Sequence, residues 1–298
     1  MGIGKYVIIT PAHNEECYIG CTLDSVAGQT MHPSQWILVD DGSIDGTAAI
    51  VQGYADKYPW IKLVRYSPPE AGRQAGAKII RAFLCGYRAL DVLDYEFIVK
   101  LDADLTLSPD YFEDVGGAFD SDPAVGLCGG YMTALIDGTW KKERNASYHL
   151  RGPIQAYRKQ CFDQIGGIPA VSNSDFIAEM KAMSLGWEVK ILPLEVRHNR
   201  RTSTLINRGL WSSYEMGEVL YRDGYDLLLT LLRSFIYGLS ARPYILSAIC
   251  LVSGFLASSL TRPAKDVDTE LETFIRGFQY KRIRRFLQRS ALYKKPTH

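Results

Sequence analysis

The sequence is short of the features that would place it in several broad classes. Cysteine is scarce: Cys17, Cys21, Cys85, Cys128, Cys161 and Cys250 are the only six, and no two form a CxxC pair. No zinc spacing results, and thiols this sparse and unpaired point to a reduced, cytosolic compartment. Net charge is almost absent, since 34 Lys and Arg offset 33 Asp and Glu to leave +1. The chain as a whole therefore has no pull toward nucleic acid. No basic stretch followed by a long apolar one precedes the strand-like run at residues 6–10, so a cleaved signal peptide is not expected. No Gly-x-Gly-x-x-Gly follows that run, which excludes the usual dinucleotide-binding turn. Internal repeats and low-complexity segments are missing as well.

What is present is an ordinary folded composition, 47% hydrophobic and 22% charged over 298 residues. Residues 6–10, 36–40, 61–65 and 96–101 are short runs rich in β-branched and aromatic side chains. Each is long enough for a buried parallel strand. Helix-like stretches at 15–27, 46–57 and 75–90 lie between them. This order predicts an α/β fold, a mostly parallel sheet flanked by helices. Ligands of such sheets bind beyond the carboxyl ends of the strands. The residues found there are Pro11-Ala-His-Asn-Glu15, Asp40-Asp-Gly-Ser-Ile-Asp45 and Asp102-Ala-Asp104. All three segments are polar, and all are expected to converge on one sheet edge.

Farther along, residues 126–131 read as a strand with glycines for close approach, 176–185 as a helix and 187–192 as another strand. The composition changes near residue 208. Residues 225–238 are rich in Leu and Phe but hold Arg233, and 244–260 carry no charge between Arg242-Pro243 and Arg262-Pro263. A bilayer span needs about 20 apolar residues, with about 17 as the lower limit. That segment can therefore span, lie in the interface or re-enter with 225–238. It also suits a core helix or a dimer interface of a soluble protein. Residues 269–289 follow as a basic amphipathic helix with Phe274, Ile275, Phe278, Ile283, Phe286 and Leu287 near one face. From Thr273 onward there is no acidic residue, whereas Arg276, Lys281, Arg282, Arg284, Arg285, Arg289, Lys294 and Lys295 are all basic. Such a block suits an anionic surface. The expected division is a catalytic domain over 1–208 and a helical, membrane-associating region over 209–298.

Asp102 and Asp104 stand two apart on an extended chain, so their carboxylates point the same way. Both can approach one hard divalent cation, Mn²⁺ or Mg²⁺, which prefers oxygen ligands and bridges to a diphosphate. The plain alternative is a helix cap ahead of Ser108-Pro109. Taken in order and spacing, Pro11-Ala-His-Asn14-Glu15, Val39-Asp-Asp-Gly-Ser43 and Leu101-Asp-Ala-Asp104 resemble the family 2 glycosyltransferases of the GT-A fold. The resemblance covers roughly residues 5 to 200.

The resemblance implies roles one position at a time. Asp41 is similar to the residue that receives the base N–H of a uracil-type nucleotide; an Asx-turn is its structural alternative. Pro11 and Glu15 resemble the wall around the nucleoside. Arg73 falls where similar proteins place a basic residue near base or phosphates. Gly186-Trp187 is a family landmark, and Asp175, 11 residues before it, is similar to the general base. Here Ser174 precedes Asp175, where the family usually has Glu, and an N-cap role would also explain an Asp at that helix start. His198 resembles a residue that closes the metal and diphosphate site. Arg200 and Arg201 beside it suit bidentate contact with a diphosphate. Gly129, Gly130, Tyr131 and Arg151 fall on the donor-sugar or acceptor side.

The implied reaction is direct, inverting displacement on a nucleotide diphosphate sugar, with UDP-sugars favoured and a divalent metal required. No side chain is placed as a covalent nucleophile. A basic, apolar tail favours the cytoplasmic face of the membrane as location, monotopic or peripheral, with a soluble cytoplasmic protein as the fallback. A lipid-linked or surface glycan then becomes the natural acceptor. Transfer to a polyprenyl phosphate, and a non-catalytic sugar-nucleotide-binding subunit, are the competing readings. An oligomer stays open.

Overall fold

The structure is a computed structural model that describes residues 4–67, 75–143, 146, 148–200, 209–240 and 243–292. The chain divides into two compact units, Met1–Thr202 and Ser203–His298. Arg73 and Arg201 lie outside the described residues.

The first unit is built on a nine-stranded sheet. Its strands are β1 (Tyr6–Ala12), β2 (Gln35–Asp40), β3 (Ile61–Arg65), β4 (Phe97–Leu101), β5 (Leu105–Leu107), β6 (Val125–Ile136), β7 (Thr139–Lys142), β8 (Ile154–Arg158) and β9 (Glu188–His198). They run in the order β3-β2-β1-β4-β8-β6-β9-β5, with β7 pairing β6. The first four are mutually parallel, and β8 enters antiparallel between β4 and β6. This is the mostly parallel α/β sheet with flanking helices that the alternating pattern predicts.

The helices of this unit are α1 (Ile19–Ala27), α2 (Thr47–Lys57), α3 (Ala75–Arg88), α4 (Tyr111–Ser121), α5 (Lys159–Ile165) and α6 (Ser174–Ser184). Strand alternation sends successive side chains to opposite faces. Tyr6, Ile8, Trp36, Leu38, Phe97 and Val99 pack on one face with Ile19 and Leu23 of α1 and Phe112 and Phe119 of α4. Val7, Ile9, Ile37, Val39 and Ile98 pack on the other with Ile80 and Phe83 of α3 and Ala178 of α6. Close packing explains Gly86: a Cβ there would sit 2.7 Å from methyls of both Ile9 and Val39.

Two boundaries differ from expectation. The first helix starts at Ile19 rather than Glu15, because residues 13–18 form turns that reach across to the loop after β2. The strand expected over 187–192 continues to His198, held by pairing with β6 and by the Leu105–His198 register with β5. His198 is thus a strand residue and not part of a following loop.

The second unit contains α7 (Leu210–Arg222), α8 (Leu227–Ser240), α9 (Tyr244–Thr261) and α10 (Thr269–Leu292). The expected apolar face of α10 holds in part: Ile275 is buried, along with Leu271 and Gln279 four residues either side of it, and Phe274, Phe278 and Ile283 are half-buried, while Phe286 is 71% exposed.

Candidate active site

The ends of β1, β2 and β4 carry the three polar segments, and hydrogen bonds tie the first two together. His13 Nδ1 lies 2.7 Å from the Asp41 carbonyl oxygen. The Asn14 N–H donates to Ser43 Oγ at 3.0 Å, and Asn14 Oδ1 accepts from the Ile44 N–H at 2.9 Å. Asn14 adopts φ +56° to do this, a left-handed conformation that Asn tolerates better than most residues. The Glu15 N–H donates to Thr47 Oγ1 at 2.7 Å. Pro11 pairs in register with Val39 one step before the end of β1.

Asp40 makes the turn after β2, its Oδ1 accepting the Ser43 N–H at 2.9 Å. The Asx-turn alternative therefore belongs to Asp40, and Asp41 is left with another use. Asp41 is buried, its Oδ2 lies 3.2 Å from Lys78 Nζ, and its Oδ1 has no hydrogen bond among the described residues. Lys78, on α3, gave no sign in the sequence of serving this loop.

Asp102 follows β4, and its Oδ1 accepts from Lys100 Nζ at 2.8 Å. The same ammonium donates to the Gly152 carbonyl at 2.6 Å. Burial opposes the Lys100 charge, but the carboxylates of Asp102, Asp175 and Asp104 outweigh it and raise its pKa. Burial pushes the Asp102 carboxyl up and Lys100 pulls it down, while Asp104 and Asp175 raise it further. Asp102 and Lys100 thus both lie within electrostatic reach of Asp104 and Asp175. Lys100 reads from sequence as a plain strand residue, and only the fold reveals it as a buried cation beneath the acids.

Asp104 is buried. Its Oδ2 lies 3.2 Å from His198 Nε2 and 3.2 Å from Arg200 Nε. Burial opposes the His198 charge, yet the carboxylates of Asp104 and Glu143 carry its pKa up to about 9. Glu143 also accepts from Arg151 Nη2 at 2.6 Å, and its other oxygen stands 3.9 Å from His198 Nδ1. Arg200 pairs with Glu15 as well, and its guanidinium lies 5.3 Å from the Tyr18 ring centre. Burial raises the Glu15 carboxyl, with Arg200 acting against it. A cavity of about 330 Å³ lined by Tyr18, Leu135, His198, Asn199 and Arg200 opens beside these groups.

Asp175 stands in the first turn of α6, whose cap position is Asn173. The capping explanation therefore does not account for it. Its carboxylate lies directly over Gly152: a Cβ on that glycine would sit 1.9 Å from Asp175 Oδ2. One turn along α6, the buried Glu179 accepts the Leu150 N–H at 2.6 Å and meets His149 Nδ1 at 2.7 Å. These bonds fasten the segment before Gly152 to the helix that carries Asp175. The glycines read as lining the sugar side also permit close packing within the sheet. A Cβ on Gly130 would sit 2.4 Å from the Leu194 carbonyl oxygen, and one on Gly129 would sit 3.1 Å from that of Ile154.

Residues 7–176 match the sequence profile of Glycosyl transferase family 2. The chain belongs to that family. Among its relatives is YdaM of Bacillus subtilis (strain 168), named as a glycosyltransferase, 35% identical over 223 residues that make up 67% of this chain and 51% of YdaM. A beta-monoglucosyldiacylglycerol synthase of Nostoc sp. (strain PCC 7120 / SAG 25.82 / UTEX 2576) is 26% identical over 243 residues, 74% of this chain and 51% of the synthase. The chain thus spans about half the length of both. Two solved structures share the fold. The mannosyltransferase PcManGT of Pyrobaculum calidifontis, in complex with GDP-Man and Mn²⁺, aligns at a TM-score of 0.54 and 17% identity over 86% of this chain and 75% of that one. TarS 1–349 of S. aureus with UDP-GlcNAc aligns at 0.53 and 17% over 86% and 73%.

Proposed function

We propose that this family 2 member is an inverting glycosyltransferase. It moves a sugar from a nucleotide diphosphate sugar, a UDP-sugar by preference, to a hydroxyl of a lipid-linked or surface glycan. The observation that carries the reading is the Asp175 carboxylate lying over Gly152, in the same electrostatic cluster as Lys100, Asp102 and Asp104. That proximity supports a base working beside an anion-handling centre. The names of relatives that handle GDP-Man, UDP-GlcNAc and glucosyldiacylglycerol support a nucleotide-sugar donor and a glycolipid-type acceptor.

Asp41 accepts a base N–H on its Oδ1, with Pro11 and Glu15 forming the nucleoside wall. Arg200 is already placed between Glu15 and Asp104, where it meets the diphosphate, joined by Arg201; Arg73 serves the base or phosphate side. Arg151, held by Glu143, lies toward the sugar and acceptor. Asp175 takes the acceptor hydroxyl proton as that oxygen forms its bond to the anomeric carbon. The bond from that carbon to the diphosphate breaks on the opposite face, and the nucleoside diphosphate leaves with the electron pair. One in-line step inverts the configuration.

Among the described residues no three acids, histidines or cysteines form a ready metal cluster. The donor set nevertheless fits Mn²⁺ or Mg²⁺ once the ion takes the place of the His198 proton, because Asp104 Oδ2 and His198 Nε2 converge at 3.2 Å. Such ions use one or two carboxylates and complete their shells with phosphate and water. Asp102, Asp104 and His198 would hold the ion, which when bound neutralises charge on the departing diphosphate.

In the second unit α8 and α9 expose Leu228, Phe235, Ile236, Ile245, Ile249 and Leu260. An apolar surface this broad, on a chain with a basic end, supports residence on the cytoplasmic membrane face, where a lipid-linked acceptor would be found. The deciding experiment is a panel of UDP- and GDP-sugars with Mn²⁺ and membrane lipid acceptors, the product analysed by NMR. A product of inverted anomeric configuration fits the reading, and a retained configuration refutes direct displacement.

A further inference from the structure

We propose that α8 and α9 lie in the plane of one leaflet of an anionic bilayer and that neither crosses it. This rests on the membrane reading above and fixes its mode. By length and composition α9 passes as a span: 18 uncharged residues of mean hydropathy 1.8, about 27 Å at about 1.5 Å per residue. Its packing argues otherwise.

The middle of α9 is locked to the middle of α7. A Cβ on Gly254 would sit 2.1 Å from the Tyr214 carbonyl oxygen, and one on Gly217 would sit 1.9 Å from that of Leu251. Only glycine permits helix backbones to meet this closely. Were α9 to span, its centre near Ser253 would lie at the bilayer midplane, carrying Tyr214 and Gly217 with it. Glu215, exposed, and Glu218 flank those residues on α7. They would enter hydrocarbon, where a carboxylate without a cationic partner is strongly disfavoured, and the 2.8 Å bond from Trp211 Nε1 to Glu215 supplies no such partner.

The two sides of α9 suit an in-plane arrangement instead. Ser247, Leu251, Gly254, Phe255 and Ser258 form its buried side. Ile245, Ile249, Leu256 and Leu260 recur on the opposite face and are exposed. The adjoining α8, which meets α9 where Gly238 approaches Ala248, exposes Leu228, Leu231, Leu232 and Phe235. These apolar faces enter the leaflet while α7, with its glutamates, stays on the water side.

Charge selects lipid over a second copy of the chain as the occupant. Neither α8 nor α9 holds an acidic residue. Arg233 is exposed on α8 among its apolar residues, Arg262 is exposed at the end of α9, and Lys281, Arg284 and Arg285 are exposed on α10. A twofold mate would present the same cations to these, whereas an anionic headgroup layer accepts an Arg that reaches up to it.

The test uses the full chain with vesicles of mixed phosphatidylcholine and phosphatidylglycerol. Spin labels are placed singly at Ile245→Cys, Ile249→Cys, Leu256→Cys and Leu260→Cys, with Cys17, Cys21, Cys85 and Cys250 replaced by Ser. Flotation shows binding, and collision with oxygen and a nickel chelate reports depth. The proposal expects flotation that weakens without phosphatidylglycerol, and four labels at one shared depth, about 5–10 Å below the headgroups. Depth that peaks between Ile249 and Leu256 and falls away at Ile245 and Leu260 means a span, overturning this proposal alone. Failure to float overturns both it and the membrane reading. Labels that couple to one another and see no lipid mean a dimer face, which also overturns it.

Discussion

Lys78 Nζ lies 3.2 Å from Asp41 Oδ2, in a buried carboxylate whose Oδ1 has no hydrogen bond among the described residues. One oxygen is held by a cation and the other is buried and unpaired there. A uracil ring offers one N–H between two carbonyls, which matches a single unpaired acceptor with an ammonium beside it. A guanine edge presents two adjacent donors and would need both oxygens. Asp41→Asn is expected to weaken UDP binding at least tenfold, since a hydrogen bond to a charged group contributes about 1.5–3 kcal/mol. Lys78→Ala is expected to narrow the preference for UDP over GDP. Calorimetric titration of both nucleotides into each variant checks this, and unchanged UDP affinity in Asp41→Asn would remove Asp41 from the base site.

Gly152 offers a test of geometry separate from charge. A methyl group there would occupy the space of Asp175 Oδ2, 1.9 Å from an added Cβ. Gly152→Ala is therefore expected to displace the carboxylate and lower kcat about 100-fold, the scale of a 1 Å misplacement. Nucleotide affinity is expected to stay close to that of the parent. Steady-state kinetics alongside UDP titration reads both.

Glu179 predicts a pH effect on stability. Burial pushes its carboxyl from 4.5 up to about 7, with His149 and the Leu150 N–H acting against burial. The folded state therefore favours the protonated acid more than the unfolded state does. The group's contribution is fully present below about pH 4.5 and is lost as pH rises through about 7. Glu179→Gln, which cannot titrate, is expected to gain on the parent between pH 5 and pH 8 by no more than about 3 kcal/mol. Thermal melts of both proteins across that range check the sign.

Gly86 tests the sheet–helix packing. Gly86→Ala would press its methyl against Ile9 and Val39 at 2.7 Å. Overpacking of this kind costs about 1–3 kcal/mol. Denaturant melts are expected to show that loss while UDP affinity is retained.

Periodicity and strand-end chemistry made much of the first unit legible. Residues 6–10, 36–40 and 97–101 are strands because apolar runs buried on both faces have few other uses, and polar segments stand at their ends. Hidden from sequence were the long-range pairings. Lys78 stands 37 positions from Asp41, and the segment carrying Gly152 reaches Lys100 and Asp175 only through β8 and α6. No local spacing encodes such partners. Asp175 was legible through a landmark, but what separates it from a helix cap is Asn173 in the cap position. In α10, the expected face was right at Ile275, but its periodicity did not show that Leu271 and Gln279 would be buried beside it or that Phe286 would be exposed.

The account depends most on Asp175 as the proton acceptor. The direct measurement is turnover of Asp175→Asn against the parent with an active UDP-sugar, a hydroxyl acceptor and Mn²⁺, paired with UDP affinity for each. A fall in kcat of about 10²–10⁴-fold at unchanged UDP affinity is the predicted result. Parental turnover in Asp175→Asn would contradict it.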